Sequence, residues 1–333
     1  MSKTSKALTI AVCTLLMSAA CGASAFATET KWIGMFPTDT LDQWGLGASV
    51  AYEYKYQDTE TALIPISGVS ATLKERNQFN SLRADIQAGL GYGLQVGADF
   101  GFEMAGRNKG SVTNGYTFVS TSTSEQSTSM CGFYNPTFSL RWDMVKALSE
   151  KPSAGALVLE YTYKPARWGS KHVSANYVNA AQLLDQHGEY GFDTHTAKAI
   201  GSLTFGASRA YLGYVGSFSG AYKGYFDNTY PVGYPTGNIH SIVIGSERAF
   251  TPKFSMGADF KYSMVRARGG FGDGYGTFEG GLNASFKVAE NLRLVPYFKS
   301  EVIGTRTYQD TGFIASTPTN YNIATGVALK AVF

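Results

Sequence analysis

Apolar and polar residues alternate with a period of two in segments of about ten residues, and the pattern recurs from Leu46 to Phe333. Successive side chains of a β-strand point to opposite faces, so each segment reads as a strand with one apolar and one polar side. In the first, Leu46, Ala48, Val50, Tyr52, Tyr54 and Tyr56 oppose Gly47, Ser49, Ala51, Glu53 and Lys55. Leu82–Leu90 and Leu94–Phe102 repeat it across the tight Gly91-Tyr92-Gly93. Further segments are Phe138–Met144, Leu157–Tyr163, Ala197–Phe205, Tyr211–Ser217, Ser241–Glu247, Phe254–Met264, Phe278–Val288, Leu292–Val302 and Tyr321–Phe333. Together they make about twelve strands.

A soluble sandwich would also alternate, so strand length and loop asymmetry decide. Membrane-crossing strands need about 9–11 residues, whereas soluble strands peak at about 5–6. The connections alternate between short ones, near Gly91, 150–155, 207–209, 250–253 and 289–291, and long ones over 58–78, 106–136, 165–195, 219–239, 266–276 and 304–320. Periplasmic turns on one side and extracellular loops on the other give that asymmetry. The expectation is an all-β, transmembrane, antiparallel β-barrel over residues 44–333, with both termini periplasmic. Its last strand ends on Phe333, which resembles the terminal aromatic signal of outer-membrane barrels and implies recognition by the outer-membrane assembly machinery.

The N-terminus supports export. Lys3 and Lys6 precede an apolar run from Ala7 to Met17 and small residues ending at Ala25-Phe26-Ala27, so residues 1–27 read as a cleaved signal peptide and 28–43 as a periplasmic segment. Cys21 follows small residues, as a lipidated cysteine does, but Ser18 stands where such a signal has Leu. With Cys13 and Cys21 removed, Cys131 has no partner for an intrachain disulfide. No apolar run of the ~20 residues that a spanning helix requires follows the signal. The expected location is therefore the bacterial outer membrane, in contact with lipid and lipopolysaccharide. A formal net charge of +3 argues against a nucleic-acid partner.

If the apolar faces meet lipid, parity turns the polar faces into the lumen. That assigns inward Glu53, Lys55, Arg83, Asp85, Asp99, Glu103, Arg141, Asp143, Glu160, Lys198, Asp259, Lys261, Glu279, Lys287, Arg293, Lys299, Glu301 and Lys330. The two signs are nearly balanced, which points to a small polar channel for a small-molecule solute or to a lumen filled by paired side chains. The alternative is a plugged structural barrel that presents its loops for surface interaction. Trp44, Tyr52, Tyr92, Trp142 and Tyr163 suit the lipid–water boundaries.

Catalysis and cofactors have little footing. No motif sets a Ser beside a His, and the Ser and His motifs of the outer-membrane phospholipase family are absent. His172, His187 and His195 fall in or beside one long loop. The spacing of His187 and His195 with Asp185, Glu189 and Asp193 matches no recognised metal site, so loop polarity accounts for them. The glycine-rich run from Gly269 to Gly276 precedes a strand rather than a helix and reads as a loop. Within the long loop over 165–195, Tyr177 to Leu184 could form a short helix, and Thr117 to Ser129 reads as a flexible external loop.

Two stretches carry a resemblance. Phe36-Pro37-Thr38-Asp39-Thr40-Leu41 leading into the Tyr-rich first strand, and Leu90-Gly91-Tyr92-Gly93-Leu94-Gln95-Val96-Gly97-Ala98-Asp99-Phe100, resemble the barrel family described as a "MetA-pathway of phenol degradation" component. The resemblance implies an outer-membrane transporter that passes small aromatic or apolar molecules.

Overall fold

The computed structural model describes residues 40–65, 70–115, 122–148, 154–166, 168–177, 184–226, 238–266, 274–309 and 313–333. The expected signal peptide and residues 28–39 lie outside them. Among the described residues sixteen strands form one antiparallel sheet: β1 (Leu46–Pro65), β2 (Ser70–Gly91), β3 (Leu94–Gly115), β4 (Ser122–Phe133), β5 (Thr137–Asp143), β6 (Gly155–Lys164), β7 (Lys171–Tyr177), β8 (Leu184–Phe205), β9 (Ser208–Phe226), β10 (Ile239–Thr251), β11 (Phe254–Val265), β12 (Tyr275–Ala289), β13 (Leu292–Ile303), β14 (Arg306–Gln309), β15 (Phe313–Thr317) and β16 (Asn320–Val332).

Twelve of these close into a ring. The order is β1-β2-β3-β5-β6-β8-β9-β10-β11-β12-β13-β16, and β16 returns to β1 from Gly47↔Val332 to Asp58↔Tyr321. At the seam, Leu46 N donates to Phe333 O at 2.9 Å and Phe333 N donates to Leu46 O at 2.7 Å. Closure gives every ring strand two neighbours, so the ladder groups need no water and no edge is left open.

Height varies around the ring. β1, β2, β3 and β8 run 20, 22, 22 and 22 residues, whereas β11 and β13 have 12 each. The long strands extend into segments expected to be loops, because their outward faces turn polar while pairing continues: Glu60 stands opposite Lys74, and Arg76 opposite Lys109. The expected external loop at Thr117–Ser129 is likewise corrected, since β4 begins at Ser122 and pairs with β3 from Asn114↔Ser122 onward. The expected helix over 177–184 falls mostly on residues outside the described ones, and its ends, Tyr177 and Leu184, belong to β7 and β8.

Two adjacent strands are interrupted at the same height. β4 and β5 are separated by Tyr134-Asn135-Pro136, and β6 and β7 by residues 165–170. Pairing of β5 with β6 stops at Phe138↔Tyr163 and resumes between β4 and β7 at Gly132↔Lys171. Asn135 bridges the break: its Oδ1 accepts from Trp168 N at 2.9 Å and from Gly169 N at 2.6 Å. Among the described residues a short helix, α1 (Met144–Leu148), follows β5. Asp143 caps it, accepting from Val145 N at 3.0 Å and Lys146 N at 3.2 Å.

Asn135→Ala removes the acceptor of both amides and should lower stability by about 1–3 kcal/mol in a denaturant titration of the lipid-reconstituted barrel. Asn135→Asp, which keeps the acceptor, should lose less. Equal losses would show that the bridging oxygen is not what holds the break.

Candidate functional site: the barrel interior

The two faces of the wall differ sharply in chemistry. Outside, β10 to β12 expose Ile242, Ile244, Phe260, Tyr262, Phe278, Leu282 and Phe286, while on the opposite face Ser241, Glu247, Ser255, Asp259, Ser263, Asn283 and Ser285 are buried. The outer belt ends in aromatic residues. Trp44 and Tyr92 are exposed at the short-turn end. Toward the long-loop end, Tyr161 and Tyr214 hydroxyls meet His195 Nδ1 at 2.6 Å and His240 Nδ1 at 2.5 Å. An outer groove of about 820 Å³ crosses β8 to β11 between Leu203, Leu212, Ile244 and Phe260 over Gly201 and Ala210. Its apolar lining places it on the lipid-facing side rather than on the polar interior.

Inside, the charges are grouped into networks. Arg141 Nη2 and Lys198 Nζ both reach Glu160, at 2.7 and 2.6 Å, across β5, β6 and β8. Lys261 pairs with Glu279 at 2.7 Å. Glu301 accepts from Asn322 at 3.0 Å, Asp259 from Asn283 at 3.2 Å and Asp85 from Gln87 at 3.0 Å. Asp99 lies within interaction range of Arg83 and Glu53, and Lys299 of Glu279 and Glu53. Asp143 is committed to the helix cap, Lys55 approaches Glu53 at 3.9 Å, and Arg293 donates to Ser285 at 3.2 Å. Lys287 stands opposite Arg293. The charge-bearing positions of the alternation lie on β1, β2, β3, β5, β6, β8, β11, β12, β13 and β16.

Three inward tyrosines form a device that counting charges does not reveal. Tyr297 lies over Gly326, Tyr211 over Gly245 and Tyr134 over Gly101; a Cβ at Gly326 would come within 2.6 Å of the Tyr297 ring, and one at Gly101 within 2.7 Å of the Tyr134 ring. A ring laid on a glycine runs along the wall instead of across the bore. Two of the hydroxyls are held by carboxylates: Tyr297 donates to Glu53 and Tyr134 to Glu103, each at 2.9 Å. The parity of Tyr211 and Tyr297 against outward Leu212 and Phe298 was available from sequence. The Gly partners require knowing the register.

At the short-turn end the chain before β1 enters the interior. Leu41 is buried, its N–H donates to Gln95 Oε1 at 2.9 Å, and its side chain lies 3.4 Å from where a Cβ on Gly47 would be. Lys146 of α1 holds this segment through Thr40 O at 2.9 Å and Asp42 Oδ1 at 2.6 Å.

His187 lies on β8 opposite His172 of β7, and His195 is eight residues further along β8. That spacing is roughly 25 Å along a strand, too far for the pair to share an ion. No group of metal-ligating residues assembles among the described residues.

No protein-family model and no curated protein matches the chain. Among solved structures it is similar to the transport unit of the autotransporter AIDA-I from Escherichia coli, at 10% identity over 95% of this chain and 97% of that one, with TM-score 0.52. It is also similar to an outer membrane channel from Pseudomonas putida F1, at 11% identity over 91% and 100% of the two chains, with TM-score 0.50. A Pseudomonas aeruginosa FadL homologue is similar at 10% identity over 87% and 90%, with TM-score 0.48. At these identities the likeness is one of fold, and the fold is that of bacterial outer-membrane barrels.

Gly101→Ala should force the Tyr134 ring off the wall and cost about 1–3 kcal/mol of stability. Adding Tyr134→Ala removes the clash, so the double variant should be more stable than the sum of the single losses predicts. Strict additivity in the unfolding free energies would contradict the stacked arrangement.

Proposed function

We propose that the protein is an outer-membrane channel for the passive passage of small solutes, aromatic or apolar compounds among them. The observation that carries this is the pairing of an apolar outer face with an interior of paired charges and wall-flattened tyrosines inside a closed twelve-strand ring. Barrels of about eight strands are just wide enough for side chains to fill, and those of about sixteen leave an aqueous channel, so twelve strands leave room beyond the side chains. Tyrosines laid along the wall keep that room, and the half-buried Tyr134 and Tyr297 offer flat apolar faces to an aromatic solute. The fold shared with the Pseudomonas putida F1 channel agrees with the reading, and the fold shared with an autotransporter shows why fold alone does not carry it.

In this reading the short-turn end faces the periplasm, and the outer face of residues 44–333 meets lipid and, at the long-loop end, lipopolysaccharide. No step requires a cofactor, a metal or a catalytic residue.

A second reading, a plugged barrel that presents its loops, draws support from Leu41, which is buried against the inner face at the short-turn end. The two separate in a planar bilayer. A channel gives discrete conductance steps from the mature protein, and liposomes carrying it swell in small uncharged solutes. A heat-modifiable barrel that stays silent, and conducts only after residues 28–43 are deleted, would overturn the open-channel reading in favour of the plug.

A further inference from the structure

The outer groove on β8 to β11 is a trough with small residues on its floor. Gly201, Ala210, Ser246 and Ala258 take outward positions on four successive strands, and the last three stand in register, Ala210↔Ser246↔Ala258. Among the described residues a Cβ on Gly201 would meet only Leu212 O, at 4.0 Å, so the space above it is open. Two positions further from the short-turn end, the exposed side chains of Leu212, Ile244 and Phe260 form one bank in register. Two positions nearer to it, Phe205, Arg248 and Met256 form the other, with Arg248 opposite both Ser208 and Met256. The banks are four residues apart along each strand, about 13 Å. The space between them measures about 820 Å³.

The charge on the nearer bank is unusual for its place. Among the described residues, Arg248 is the one Asp, Glu, Lys or Arg at the outward positions of β9 to β13. Its neighbour Glu247 is buried on the opposite face. An arginine that faces lipid is tolerated best near the edge of the hydrocarbon, and Arg248 lies three residues before the end of β10. Its guanidinium sits over the Phe250 ring, 5.7 Å from the centroid, which draws it toward the short-turn border of the apolar belt. Among the described residues no carboxylate forms an ion pair with it. The next charge along the same hairpin is again positive, the exposed Lys253 of the β10–β11 turn.

A cation on the bank of an apolar trough is complementary to a molecule with an anionic head and an apolar tail. A second copy of the barrel fits less well. A two-fold interface brings the same patch to itself, and the outward positions described on β9 to β13 carry no acid to meet Arg248.

We propose that this trough is a phospholipid site, with the lipid phosphate on Arg248 and one acyl chain laid over Ala210, Ser246 and Ala258 between the two banks. The guanidinium offers a planar fork that matches two phosphate oxygens, and the trough removes the chain's methylenes from contact with mobile lipid on the floor and on both sides. With the short-turn end toward the periplasm, the lipid belongs to the inner leaflet. The site requires the outer face to meet lipid and does not require the barrel to conduct.

The test titrates the full mature protein, folded in detergent, with dioleoylphosphatidylglycerol and with dioleoylglycerol, which lacks the phosphate, and counts retained lipid by native mass spectrometry. The wild type should retain one phosphatidylglycerol and several-fold less dioleoylglycerol. Arg248→Gln should lower phosphatidylglycerol to the dioleoylglycerol level, and Ala210→Phe, which fills the floor from an exposed position, should lower both. If a variant does not form a heat-modifiable barrel, wild-type liposomes containing phosphatidylglycerol with a photoactivatable acyl chain give a second readout. Adducts should then concentrate on Leu212, Ile244 and Phe260 rather than on Val96 and Val327, which face lipid elsewhere on the ring. Adducts spread evenly around the belt, or retention that ignores Arg248, would overturn the site and leave ordinary lipid contact only. Dimers without retained lipid, abolished by Ala210→Phe, would overturn it in favour of a second copy. None of these readouts depends on conductance, so the channel reading stands or falls separately.

Discussion

The structure depends on one constraint, that a backbone crossing lipid must satisfy its own hydrogen bonds. Hydrocarbon offers the N–H and C=O groups no partner, and each unpaired group costs several kcal/mol, so an extended chain can cross only as a closed sheet. The seam between β1 and β16 is where this is met, with Leu46 and Phe333 exchanging the final pair of bonds. Where the ladder fails, between β5–β6 and β4–β7, side chains replace it. Asn135 bonds two amides across the gap, and Asp193 Oδ1 accepts from Ala166 N at 2.9 Å. Breaks in a lipid-facing wall are tolerable only with such substitution.

Closure then dictates the interior. Within the apolar belt one face of every strand is assigned to lipid, so the charged residues at that height lie on the other and must be reconciled there in a small volume. Glu160 does so by taking two cations, and Glu53 by accepting a tyrosine hydroxyl beside Lys55. The tyrosine-on-glycine contacts solve a packing problem of the same origin. Large rings on the inner face would cross the bore unless the adjacent strand offers a position without a Cβ, as Gly326, Gly245 and Gly101 do. Like charges also stand opposite one another on neighbouring strands, in Asp85↔Asp99, Glu279↔Glu301 and Lys287↔Arg293↔Lys330.

Much of the wall was legible in the alternation, because strand parity depends only on the chain itself. Leu282 against Asn283, or Phe298 against Lys299, sorts outside from inside without any knowledge of neighbours. Strand length was not legible, since β1 to β3 continue past the apolar belt with polar residues outward at Asp58, Arg76 and Lys109, which imitate loop composition. The breaks at Asn135 and Gly169 and the helix after Asp143 were also hidden, being set by pairing across strands. For the interior, parity finds which residues point inward but not which meet. The row Lys287, Arg293, Lys330 appears only once the register joins positions far apart in sequence.

The measurement that tests the central claim most directly is a cysteine scan of β12 in a Cys131→Ser background, from Thr277 to Lys287, in reconstituted liposomes. Each site is labelled with a small fluorophore and read against brominated lipid and aqueous iodide. A closed barrel in lipid predicts strict alternation. Phe278, Leu282 and Phe286 should be quenched by lipid, while Thr277, Glu279, Asn283 and Lys287 should be quenched by iodide or protected from both. Iodide quenching of equal strength at both sets, with no effect of brominated lipid, would contradict it and indicate a sheet that stands in water.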